Sequence, residues 1–162
     1  MQIGKAGSLL LKGIAGSLLV AMMLLTVVDV VGRYVFSAPV PGAFEATEVM
    51  LALAIFAGLP IVTGRGEHVS VRLVVDHLPP AVRRVFDTVC AFLVAVLLAG
   101  AAYLLYRRGV SLAAFGDATV LLGIPLAPVA FALMGLCAIA SLVGLARLVA
   151  TCSAKRQRPQ QP

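Results

Sequence analysis

Residues 13–31 read GIAGSLLVAMMLLTVVDVV, an apolar run broken only by Asp29 near its end. A helix crossing the ~30 Å hydrocarbon core of a bilayer needs about 20 mostly apolar residues. This run is therefore long enough to span a membrane and too uniformly apolar to be one face of a water-soluble helix. Three further runs follow outward from it: 46–63, opened by Glu45 and Glu48; 85–106; and 125–146, closed by Arg147. None alternates apolar and polar residues over about 10 positions, as a membrane barrel strand does. The fold expected is an all-α integral membrane protein with four transmembrane helices, one domain over residues 1–150.

Composition agrees with that reading. Of 162 residues 61% are hydrophobic and 12% charged, with a mean hydropathy of +1.05, against about 25% charged in an ordinary soluble domain. Disorder is excluded for the bulk of the chain. The net charge of +6 does not indicate nucleic acid, because the basic residues stand in short runs between apolar blocks and not on one face with stacking aromatics. Cys90, Cys137 and Cys152 are odd in number and widely spaced, so neither a disulfide framework nor a zinc site is expected.

The charges also orient the chain. Lys5, Lys12, Arg65, Arg72, Arg83, Arg84, Arg147, Lys155, Arg156 and Arg158 fall on one side of the four spans, and Arg33, Arg107 and Arg108 on the other. Ten against three, under the positive-inside rule, puts both termini and the middle loop in the cytoplasm. The run after Lys5 and Lys12 is too long for a signal-peptide core and lacks an A-x-A site, so it is expected to stay as an uncleaved anchor. The polar, Pro-bearing tail over 151–162 is expected to be disordered.

Between the second and third spans, Val71, Val74, Val75 and Leu78 recur at helical spacing while Ser70, Arg72, Asp76 and His77 point elsewhere. That pattern predicts a short interfacial amphipathic helix in contact with lipid. Pro79 and Pro80 end it, and Pro80 is suited to the first turn of the next helix. Arg83 and Arg84 then lie where anionic head groups would attract them.

Ionisable residues near a bilayer are functional candidates by default. Asp29 and Arg33, four apart, can pair at the end of the first span. Glu45 and Glu48, three apart in the first turn of the second, suit either the positive helix end or a partner subunit. His68 and His77 are nine apart in the middle loop, and no span contains the histidines a membrane haem protein would need. No GxSxG, HExxH or Walker loop is present. No catalytic, substrate-binding or metal residue is therefore assigned, no cofactor is expected, and the chain is not expected to be an enzyme. Small residues four apart, Ala54 with Gly58 and Ala140 with Gly144, would allow close helix approach. The remaining classes are a scaffold subunit, the membrane anchor of a redox complex and a self-contained small multidrug-type exporter.

Several strings occur together in order: Gly32-Arg33-Tyr34-Val35-Phe36, Pro41-Gly42-Ala43-Phe44-Glu45-Ala46-Thr47-Glu48, Arg65-Gly66-Glu67-His68-Val69-Ser70-Val71, Gly116-Asp117-Ala118-Thr119 and Ile124-Pro125. Set against four spans, they resemble the small permease subunit of the tripartite ATP-independent periplasmic (TRAP) transporters, the DctQ-like family. The resemblance covers roughly residues 24–147. It implies a bacterial inner-membrane complex in which a periplasmic binding protein delivers a carboxylate-type substrate and a large, sodium-coupled permease subunit moves it. The resemblance implies that the small subunit holds the large one's scaffold fixed. It further implies that Arg33, Glu45, Glu48, His68, Asp117 and Pro125 serve packing, subunit docking and lipid contact. Trp, common at the membrane interfaces of that family, is absent here, and Phe36, Phe44 and Phe115 stand in its place.

Overall fold

The structure, a computed structural model, describes residues 5–65 and 80–154. It contains four long helices: α1 (Lys5–Val35), α2 (Ala43–Arg65), α3 (Pro80–Phe115) and α4 (Leu126–Ala154). Each holds a segment long and apolar enough to cross a membrane: Gly7–Val35, Ala43–Gly64, Thr88–Phe115 and Leu126–Ala146. Among the described residues there is no strand, only an isolated bridge between Ala118 and Pro125. The interfacial helix expected at 71–78, with Val71, Val74, Val75 and Leu78, lies outside the described residues, as does His68.

All four helices extend beyond the apolar runs, and two of them run well past the expected C-terminal limit. Arg107 and Arg108 close the third apolar run, yet α3 continues past them to Phe115. Long basic side chains on a helix can carry their charge to the aqueous boundary without ending it. The stop comes at Gly116, which adopts φ +66, and the Asp117 N–H donates to Leu112 O at 3.1 Å. This is a Schellman cap, and glycine takes its left-handed position without steric cost. Likewise α4 runs through Thr151 to Ala154, so the tail expected from residue 151 begins inside a helix. No Gly or Pro lies between Leu145 and Ala154 to break it. Pro80 is the first residue of α3, where its missing N–H costs no helical bond.

The helices pack as a row in the spatial order α1, α2, α4, α3. The α3–α4 pairing is the most extensive, α2 packs on both α1 and α4, and α1 is peripheral. None of the apolar window of α1 is buried within the chain. The core is made of small residues: Ala54, Ala57, Ala95, Ala130, Cys137 and Ala140 are buried, with Leu112 beside them. Small side chains are what membrane helices use to approach closely, since apolar residues gain nothing by leaving lipid for protein.

Three helices meet at one point. A Cβ built on Gly144 of α4 would lie 3.4 Å from Thr63 Cγ2 of α2 and 3.5 Å from Ala95 Cβ of α3. One turn earlier the Ser141 hydroxyl donates to the Ala95 carbonyl at 3.1 Å, a buried interhelical hydrogen bond. The Ala140–Gly144 pair thus lies in a helix seam. Gly58, in the other such pair, has nothing within 4 Å of its added Cβ. Nearer the loops, Phe131 of α4 lies against Gly109 of α3. Its ring also sits 6.4 Å from that of Tyr106, tilted by 56°, an ordinary aromatic pairing.

Candidate functional site

The α1–α2 and α3–α4 connections lie at the same end of the row, and two carboxylates of that end, Asp29 and Glu45, are bonded to them. At the close of α1, Asp29 uses both carboxylate oxygens. Oδ2 accepts from Arg33 Nη2 at 2.8 Å, and Oδ1 accepts from the Val40 N–H at 2.9 Å. The first bond is the i,i+4 pairing read from sequence. The second ties the α1–α2 loop to α1. Gly32 completes the turn: its carbonyl accepts from the N–H groups of Phe36 and Ala38 at 3.2 and 2.9 Å. A Cβ there would meet the Ala38 carbonyl oxygen at 2.7 Å, so only glycine fits beneath the loop.

Glu45 does the same for the other connection. From the first turn of α2 its Oε1 accepts the Leu121 N–H at 2.9 Å, and its Oε2 accepts the Leu122 N–H at 3.0 Å. A carboxylate bonded to two successive backbone amides is a charge-assisted clamp, stronger than a neutral contact. The loop is pre-shaped to present those amides. Thr119 N–H donates to Ile124 O at 3.0 Å, Gly123 N–H to Thr119 O at 3.1 Å and Leu126 N–H to Asp117 O at 3.1 Å. Thr119 Oγ1 also accepts the Ile124 N–H at 3.0 Å. Gly123 sits at φ +64, which lets the chain reverse within the loop. Leu122 then lies over Gly42, the residue just before α2, whose φ is +77; a Cβ on Gly42 would come within 2.4 Å of Leu122 Cγ.

Of the residues singled out from sequence, Arg33, Glu45, Glu48, Asp117 and Pro125 therefore share this end, although they are up to about 90 positions apart. Asp117 contributes its backbone while its side chain is exposed, and Pro125 contributes the bridge to Ala118. Glu48 is exposed and makes no hydrogen bond or ion pair with a described residue. With Glu45, Val49, Ala52, Thr119 and Val129 it lines an open groove of about 360 Å³ between α2 and α4. Arg83 and Arg84 lie near the start of α3, at the opposite end.

Sequence reasoning paired Asp29 with Arg33 but found neither its bond to the Val40 amide nor the partners of Glu45. The signal was present in part: Gly116 and Gly123-Ile124-Pro125 bracket the second loop as turn residues, but nothing local names the carboxylate 76 positions away that receives its amides. Among the described residues no group of three His, Cys, Asp or Glu could hold a metal ion. The arrangement is mechanical: two carboxylates on two helices each pin a connecting loop.

Replacing Glu45 by alanine removes both acceptors at once. Hydrogen exchange at the Leu121 and Leu122 amides should rise several-fold in detergent or nanodiscs, with Glu45→Gln in between because one carbonyl oxygen remains. Equal protection in native and Glu45→Ala protein would mean that the clamp does not order the loop.

The model of one protein family, described as the DctQ component of tripartite ATP-independent periplasmic transporters, matches residues 22–153. All of the loop-end residues named above lie inside that range. No curated protein matches the chain.

Proposed function

Since the chain belongs to the DctQ component family of the TRAP transporters, as their small permease subunit, we propose that it serves as a fixed scaffold for the large permease subunit. The substrate is a carboxylate-type solute delivered by a periplasmic binding protein, and the coupling ion is sodium. Family membership and the four apolar helices make the chain a multi-pass inner-membrane component of a transporter. The coupling, the substrate class and the scaffolding role are the proposal.

One observation supports the scaffolding role above all: among the described residues no charged side chain lies midway along an apolar span. The charged residues of the four spans sit toward their ends. Secondary carriers instead bind substrate and ion near the midplane, around interrupted helices with exposed carbonyls and helix termini. Here α2 passes through Pro60 without interruption, and Pro60 is fully buried. A row of helices packed through small residues, with the two loops at one end pinned, suits a part that stays still while another moves. The unburied apolar face of α1 widens the anchoring surface.

Reconstitution tests this. Alone in proteoliposomes, the chain should move no organic acid under a sodium gradient, and sodium-driven uptake by this chain alone would sink the proposal.

We propose further that both termini are cytoplasmic, from the ten-to-three division of Lys and Arg. In a Cys-free background, Ser37→Cys and Ala118→Cys should react with an impermeant maleimide from the periplasmic side, and Ser70→Cys should not. Labelling of position 70 from outside intact cells would reverse the orientation.

A further inference from the structure

The tip of the α3–α4 loop, Val120-Leu121-Leu122, is apolar and turned outward. Val120 is 94% exposed and Leu121 68%, while the loop from Ala118 to Leu126 carries no charged residue. Its height in the membrane is set by its anchor. The amides of Leu121 and Leu122 are bonded to Glu45, and Leu122 rests over Gly42. These two residues flank Ala43, where the apolar span of α2 begins. The tip is therefore level with the first turn of the apolar span of α2.

The amides of Leu121 and Leu122 are equipped for that position. Non-helical backbone is tolerated at membrane depth only where the protein itself satisfies its polar groups. Here Leu121 and Leu122 donate to Glu45, Gly123 to the Thr119 carbonyl and Ile124 to the Thr119 hydroxyl. Pro125 has no N–H to satisfy, and Leu126 donates to the Asp117 carbonyl. Every amide from Leu121 to Leu126 is thus provided for within the chain. The exposed side chains of Phe36, in the α1–α2 loop, and Phe44, in the first turn of α2, lie at the same end, where aromatic rings favour the boundary between head groups and acyl chains.

We propose that residues 120–122 are a lipid-inserting tip, seated in the head-group and upper acyl region of the leaflet at the loop end, with Glu45 as the residue that sets its depth. The occupant of this surface is lipid: the tip is small and uncharged, and it shares its end of the row with the exposed rings of Phe36 and Phe44. The proposal requires that the four helices span a bilayer but does not depend on the scaffolding role.

The chain contains no Trp, so Leu121→Trp gives a single reporter in the full-length protein. Val120→Trp, at the most exposed position of the tip, gives a second should the first not fold. Each is reconstituted in phosphatidylcholine–phosphatidylglycerol vesicles, with and without the large permease subunit. The expected result is blue-shifted emission, quenched several-fold more by lipids brominated near the carbonyl end of the acyl chain than by those brominated near the methyl end. It should persist when the large subunit is present. Water-like emission untouched by brominated lipid would overturn the proposal. So would lipid quenching that disappears when the large subunit is added, which would assign the tip to protein contact.

Discussion

Uptake by the assembled three-component system should fall to background when this chain is left out, even though the large subunit is still made and inserted. The reason is mechanical. A transport domain that moves across the bilayer needs a partner surface that does not move with it, and in the proposed role this row of helices is that surface. In this chain the seams are built from small residues, with Ser141 bonded to the Ala95 carbonyl across one of them. Reconstituting the binding protein and large subunit with and without this chain, under an inward sodium gradient, measures the effect directly. Undiminished uptake without the chain would overturn the scaffolding proposal.

The second large effect is expected at Gly144. A methyl group there would meet Thr63 Cγ2 and Ala95 Cβ at ordinary contact distances, so Gly144→Ala should be tolerated and the protein should purify as the native chain does. Gly144→Leu would drive further carbons into the point where α2, α3 and α4 meet. Overpacking of a tight core costs typically about 1–3 kcal/mol, and bilayer helices cannot recover the loss through a hydrophobic drive to associate. The expected outcome is a clear fall in the apparent melting temperature in detergent, with a larger aggregated fraction on gel filtration. Equal stability of the alanine and leucine variants would mean that the three helices do not meet there as closely as described.

The four spans were legible because apolar length is a local property: a run such as 13–31 must find hydrocarbon whatever its neighbours do. The Asp29–Arg33 pair was legible for a similar reason, since residues four apart on a helix face each other regardless of the fold. Helix ends were less so. The apolar pattern stops α3 at Tyr106, but a helix is ended by backbone chemistry, and that is supplied at Gly116.

The sequence by itself determined the class of the protein, its number of spans and its division of charge, all of which follow from what water and hydrocarbon accept. Only the tertiary structure decided that α2 packs against α4, that Ala140–Gly144 lies in a seam where Ala54–Gly58 has an open flank at Gly58, and that Glu45 holds the backbone of Leu121 and Leu122. Helix pairing in a bilayer depends on the mutual fit of small residues and on a few polar bonds between distant segments. A carboxylate in a first turn looks the same in sequence whether it caps its own helix or clamps a loop 76 residues away.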